Sequence, residues 1–231
     1  MHKILLLFTL SVMAQAMLSA QVTFQKSFGT SNIQSEANDI VECPNGYLVA
    51  GFTVNAASGR DGLLIRLDLL GNVVWEKVFD LNNFDEFKAV APTSDGGFIA
   101  FGNTRPPNAA NDLWLVKVSA AGSLVWQKQF NRPNSGLDGI RIKEVLGEYL
   151  ISGNMVLGNG SSPFVIRIDG NGNEAWSKTY EAPTALMLAG YVTDSLVYVG
   201  GSSNFNGAIM GIAPQTGDLV KRFSYQAPGT E

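Results

Sequence analysis

The chain has 231 residues, 45% hydrophobic and only 16% charged, with 25 Gly, 13 Phe, 6 Tyr and 4 Trp, a mix that suits a packed fold of short strands and many turns. Its formal net charge of −4 and pI near 5.1 argue against a phosphate-seeking surface, so nucleic acid is not an expected partner. A single histidine (His2) and a single cysteine (Cys43) exclude an intramolecular disulfide and, once the N-terminus is removed, histidine-dependent triads, imidazole bases and ordinary zinc sites.

Residues 1–20 read as a secretory signal peptide. Lys3 supplies the positive start, Ile4 to Met13 the apolar stretch, and small residues before Ala16 or Ala20 a cleavage site. The stretch is too short to cross a bilayer comfortably, and no second long apolar run follows, so no membrane span is expected. The expectation is a secreted or cell-surface protein of a Gram-negative-type bacterium, with residues 21–231 as its single repeat domain.

That domain repeats itself about every fifty residues. Trp75-Glu-Lys-Val-Phe79, Trp126-Gln-Lys-Gln-Phe130 and Trp176-Ser-Lys-Thr-Tyr180 stand 51 and 50 residues apart, and Phe24-Gln-Lys-Ser-Phe28 precedes them in step. A degenerate copy runs Lys221-Arg-Phe-Ser-Tyr225, and Gly51, Gly102, Gly153 and Gly201 keep the same register. The units are approximately 29–79, 80–130, 131–180 and 181–225, with 22–28 as an extra outer strand.

Each unit parses into four strands, a to d. In the second unit these are Phe87–Pro92, Phe98–Phe101, Leu113–Ser119 and Leu124–Phe130, with turns at Ser94-Asp-Gly-Gly97 and Ala121-Gly-Ser123. Alternation in strand d puts Trp75, Lys77 and Phe79 on one side. No segment keeps helical periodicity. Four antiparallel strands per stacked unit describe the blade of an all-β propeller, with about four blades present. Trp75, Trp126 and Trp176 are then structural aromatics that fill the gaps between sheets. The extra d strand at 22–28 leaves one too many for a closed four-blade ring, so an incomplete ring is expected. Further blades or a C-terminal sorting domain would then lie outside this chain.

Ser94-Asp-Gly-Gly-Phe-Ile-Ala-Phe-Gly102, Asp112-Leu-Trp-Leu-Val-Lys-Val118 and Gly122-Ser-Leu-Val-Trp-Gln-Lys-Gln-Phe130 resemble secreted bacterial β-propeller repeat proteins of the type IX secretion-associated kind. The resemblance covers residues 22–225 and implies the fold more than any activity. Asp68-Leu-Leu-Gly71-Asn-Val-Val-Trp75 and Asp169-Gly-Asn-Gly172-Asn-Glu-Ala-Trp176 are similar to the Asp-x-x-Gly-x-x-x-Trp motif of quinoprotein propellers, where it joins blades and does not hold the quinone. Ser119 replaces the Asp in the second unit, and Lys221 replaces the Trp in the fourth.

In such a blade the a–b and c–d turns share one face, and the b–c and d–a loops share the other. The second set is longer and more varied, and recognition usually sits on such loops. Its richest ligand-binding patch combines Arg105, Asn108, Asp112, Arg132 and Asn134 from adjacent loops. Asp61 and Asp112 recur in register at the entry to strand c. No cofactor is expected. The one run suited to calcium is Asp169-Gly-Asn-Gly-Asn-Glu174, although it occupies a turn that the first unit makes without ligands. On the inner strands Asp39 and Glu42 give way to Lys88, Arg141 and Thr193, which does not converge on an acidic pocket. No catalytic or metal-binding residue is assigned. The reading is a non-catalytic binding or scaffold module for a protein or glycan; the alternative is a carbohydrate-active hydrolase using carboxylates at the propeller face or channel.

Overall fold

The computed structural model describes residues 25–28, 32–56, 59–158, 160–180, 186–192, 196–203 and 206–225. The expected signal peptide therefore lies outside the described residues, as do Phe24, Thr193 and 226–231. Sixteen strands, β1 to β16, form four sheets. They are β1 (Ser35–Cys43), β2 (Gly46–Asn55), β3 (Gly59–Leu67) and β4 (Val73–Phe79); then β5 (Phe84–Pro92), β6 (Phe98–Arg105), β7 (Asp112–Val118) and β8 (Leu124–Phe130). The third sheet is β9 (Gly136–Val145), β10 (Glu148–Leu157), β11 (Gly160–Ile168) and β12 (Glu174–Thr179). The fourth is β13 (Leu186–Val192), β14 (Val197–Ser203), β15 (Asn206–Ile212) and β16 (Leu219–Tyr225).

Every sheet is a four-stranded antiparallel meander in chain order. Among the described residues there is no helix. The molecule is all-β and built of propeller blades. Strands run longer than the apolar pattern implies: β6 continues from Phe101 through polar Asn103 and Thr104 to Arg105. Those polar residues are buried and paired with β5 and β7, so the ladder outlasts the apolar run.

Alternation gives each sheet two apolar faces, and stacking covers them. Trp114, Val116, Val118, Phe98 and Ala100 of the second blade pack on Leu48, Ala50, Leu64 and Trp75 of the first. Its other face, Ile99, Phe101, Leu113 and Leu115, packs on Tyr149, Ile151, Phe164 and Ile166 of the third. Phe87 stacks on Trp114 with ring centroids 4.6 Å apart, and Phe79 meets Phe87 edge-on at 5.7 Å. Strand a lies innermost: β5 touches β1, β2 and β3, while β9 touches β5, β6 and β7.

One bulge recurs in each inner strand, at Asn38, Lys88, Ile140 and Leu188. A bulge re-aims the chain locally and shifts which residues share a face.

The blades are joined by a repeated device on the outer strand. Trp75 Nε1 donates to Ala120 O at 3.0 Å, and Trp126 Nε1 to Gly170 O at 3.1 Å, each on the c–d turn of the following blade. The indole rests on a left-handed glycine of that turn, Gly122 (φ 77) or Gly172 (φ 83), where an added Cβ would lie 3.0 Å from the ring. Gly217 takes the same place beneath Trp176. The fourth blade's turn is one residue longer and closes from Gly217 N to Ala213 O, not across three residues as Gly172 N does to Asp169 O. Its carbonyls are displaced, Arg167 takes that of Pro214, and Trp176 Nε1 is left without a partner.

A cation near the end of strand c is also repeated. Arg66 donates to Tyr47 O and Pro44 O, Lys117 pairs with Asp95 at 2.8 Å, and Arg167 pairs with Glu148. Each holds the a–b turn of its own blade. Strand c is buried between neighbouring blades, so this cation must end at the sheet's rim, where backbone carbonyls and turn carboxylates wait.

Candidate functional site

At the long-loop end of the inner strands, the first three blades bound an axial cleft of about 450 Å³. Glu36, Glu86 and Asp138 enter it from equivalent positions, opposite Phe52, Asn103 and Asn154 on the neighbouring strands. Each stands two residues before its bulge, so the pleat aims all three carboxylates to one side. Arg60 and Lys88 complete the lining charges.

Lys88 Nζ lies 2.5 Å from Asp138 Oδ1 and 3.7 Å from Glu86 Oε1, bridging two successive blades. Arg60 Nη1 lies 2.8 Å from Glu86 Oε2, and its guanidinium sits 3.9 Å from the Phe52 ring centroid and 4.6 Å from that of Phe84. Aromatic faces favour a cation there and hold the fork in place. The cleft therefore presents three carboxylates and two fixed cations on a rigid floor, suited to polar recognition by hydrogen bonds and charge.

The acids on the inner strands converge after all, but they are not the ones expected. Asp39 follows the bulge at Asn38 and turns to the next blade, where its Oδ2 accepts from Val90 N at 3.0 Å. Asn38 Nδ2 donates to Phe87 O across the same seam. The converging set escaped sequence reading because strand a of the second unit is read from Phe87, whereas β5 starts at Phe84 and includes Glu86. The available signal was the spacing of Glu36, Glu86 and Asp138, which follows the repeat to within a residue or two.

The five expected ligand-binding residues all lie on the long-loop side, in different settings. Arg105 ends β6 and sits 4.8 Å from the Phe84 ring centroid, so Phe84 links it to Arg60 and the axial cleft. Asn108 is exposed, with φ 60, in the turn closed by Ala109 N to Pro106 O. Asp112 opens β7 opposite Thr104, half-buried, and burial raises its carboxyl pKa. Arg132 is held at the rim: Nη2 meets Glu174 Oε2 at 2.6 Å and Ser177 Oγ at 3.0 Å on β12. Asn134 (φ 58) shapes the same short turn. A d–a loop starts at the periphery and ends at the axis, so Arg132, two residues past β8, remains peripheral.

Asp85 adjoins this group. It is fully buried, accepts from Leu81 N at 2.7 Å through Oδ2, and leaves Oδ1 without a partner. Burial pushes its carboxyl above the usual range, with the Thr104 hydroxyl and then the Leu81 N–H opposing the shift. Asp85 and Asp112 flank Thr104 in register on one side of the second sheet.

The 169–174 run divides its oxygens between other tasks. Asp169 Oδ1 accepts from Asn171 N and Asn173 N, and Oδ2 from Asn173 Nδ2; these bonds hold its carboxyl below the usual range. Glu174 turns instead to Arg132 and Ser177. Asp68 makes the same turn bonds in the first blade. Among the described residues, no group of three His, Cys, Asp or Glu is placed to hold a metal ion, and no helix is long and apolar enough to cross a membrane.

No family model matches the chain, and no curated protein does. Solved structures match at the level of fold. A subtype N10 neuraminidase-like protein of A/little yellow-shouldered bat/Guatemala/060/2010 aligns at a TM-score of 0.53 and 11% identity, over 83% of this chain and 59% of that one. A chimera of ACO and RPE65 in its trigonal crystal form aligns at 0.50 and 12%, over 83% and 50%. The chain thus spans half to three-fifths of the length of these structures, and what it shares with them is the β-propeller fold.

Proposed function

We propose that the protein is a non-catalytic binding or scaffold module that recognises a protein or glycan on its long-loop face. The axial cleft is the centre of that contact and Arg105 its flank. The observation that carries this reading is the repeated placement of Glu36, Glu86 and Asp138 in one cleft, with Arg60 and Lys88 clamped between them. Their charges are largely paired within the protein, an arrangement that positions donors and acceptors and leaves no evident nucleophile. Export to the cell surface or medium, as residues 1–20 suggest, fits a recognition role.

A glycan array and peptide-display screen on the mature chain, paired with a hydrolysis screen, tests it. Binding without turnover is expected. Lys88→Ala and Glu86→Gln should each weaken it about tenfold to a hundredfold, since a hydrogen bond to a charged group is worth about 1.5–3 kcal/mol. Arg105→Ala should weaken it less, and Arg132→Ala least. Unchanged binding in both cleft variants overturns the reading.

One observation favours a second reading, a hydrolase. Asp85 and Asp112 both have raised carboxyl pKa values and lie on the same side of one sheet. A carboxyl kept protonated by burial can serve as a general acid. Glycan turnover abolished by Asp112→Asn would favour this reading over the first.

A further inference from the structure

The charges of the axial cleft balance everywhere but at one edge. Arg60 and Lys88 are committed to Glu86 and Asp138, which leaves the third carboxylate, Glu36, without a cation. Glu36 is exposed, and no hydrogen bond or ion pair reaches its side chain among the described residues. The rest of the chain cannot supply one, because the only Lys or Arg outside the described residues is Lys3, in the expected signal peptide. A second acceptor is unmet close by. Asn103 faces Glu86 across the β5–β6 ladder, so the two side chains share one side of the sheet. It is 3% exposed. Its Nδ2 donates to Leu137 O, beside Asp138, and to Asp112 O, while its Oδ1 has no partner. Buried acceptors are rarely left so, and together with Glu36 this one leaves the cleft short of donors. The flank lacks the opposite charge. Arg105 is exposed over the Phe84 ring that also holds Arg60, and no carboxylate pairs with it among the described residues.

We propose that the occupant of the cleft is a Lys or Arg side chain of a partner protein, its ammonium or guanidinium on Glu36, with an acidic residue of the same segment against Arg105. This inference rests on the proposed long-loop recognition and names its partner. Charge complementarity identifies the occupant. The cleft needs a cation rich in N–H donors and its flank needs an anion, and a mixed-charge polypeptide brings both on neighbouring side chains. A neutral glycan brings neither charge, and an amino sugar only one. The space of about 450 Å³ takes a long side chain, with Ile140 in its wall for the apolar stem.

The test sets three kinds of probe against the mature chain: mixed-charge peptides with one central Lys or Arg, twin peptides with norleucine or citrulline there, and an array of neutral and amino oligosaccharides. The Lys or Arg peptides should bind about tenfold more tightly than their twins, and less tightly as salt is raised. Glu36→Gln should erase the difference between twins, and Glu36→Lys should reverse it in favour of a central Glu. Arg105→Glu should shift the preference to a basic flanking residue. Both positions are exposed, so each variant should melt as the parent does. A Lys or Arg preference that survives Glu36→Gln overturns the inference. So does binding of the twins or oligosaccharides that weakens with Lys88→Ala but ignores Glu36→Gln, and that result leaves the recognition reading intact. Binding by none of the probes, or binding that no cleft variant weakens, overturns both.

Discussion

The tryptophans of the outer strands show how much a single atom's surroundings decide. Trp126 Nε1 has the Gly170 carbonyl at 3.1 Å, whereas Trp176 Nε1 has no partner because the turn beneath it is one residue longer. A net hydrogen bond contributes about 1 kcal/mol, so Trp126→Phe should destabilise by about that much more than Trp176→Phe in urea unfolding. Lys117 is buried while its partner Asp95 faces solvent. The Lys117 ammonium, Thr93 hydroxyl and Gly97 N–H hold the Asp95 carboxyl down to about 2. Asp95→Asn should cost roughly 2 kcal/mol, less than the loss of a fully buried partner because solvent screens Asp95. Asp85 runs the other way. Its folded pKa is raised, so ionisation penalises the folded state only at pH values above the unfolded pKa. Asp85→Asn should therefore stabilise the protein near neutral pH, with the gain shrinking toward pH 4 in parallel melts. Periodicity in the sequence marks the tryptophans and strand-c cations, but not which of them find partners. That depends on the conformation of turns in the adjoining blade.

Among the elements, the c–d turn is the most constrained. Gly122 and Gly172 combine positive φ with an indole in contact, whereas Gly96 (φ 81) has open space around its α-carbon. Gly122→Ala must pay backbone strain and also displace Trp75, so a cost of about 2 kcal/mol is expected, against about 1 kcal/mol for Gly96→Ala. Thermal or urea unfolding of the two variants separates the packing effect from the backbone effect. The strands themselves were legible because alternation, aromatic content and glycine-rich turns agree in every copy. Their bulges were not. Asn38, Lys88, Ile140 and Leu188 share no chemistry, since a bulge answers to the geometry of the partner strand. Reading strand a of the second unit from Phe87 left Glu86 outside it, and the reading named Asp39 and Glu42 in place of Glu36, Glu86 and Asp138.

Across the whole molecule, cohesion comes from stacked sheets without a disulfide; Cys43 is buried and free. Four carboxylates on the a–b and c–d turns (Asp68, Asp95, Asp169 and Asp218) have lowered pKa values, held there mainly by hydrogen bonds from neighbouring side chains and backbone. A lowered folded pKa contributes stability that is present above the unfolded value of 3.8 and is lost as pH falls through the folded value. The melting temperature should consequently decline between about pH 4 and pH 2, beginning at the turns, which residue-resolved hydrogen exchange can follow. The amino-acid sequence alone determined the repeat, the four-strand blade and the apolar faces, because these rest on local alternation and on spacing that any stacked sheet must satisfy. Only the tertiary structure decided which acids meet at the axis, and that Arg105 turns inward while Arg132 is tied to the rim. Those outcomes depend on bulges, on loop paths and on contacts between residues about fifty positions apart, where one added or re-aimed residue redirects a side chain.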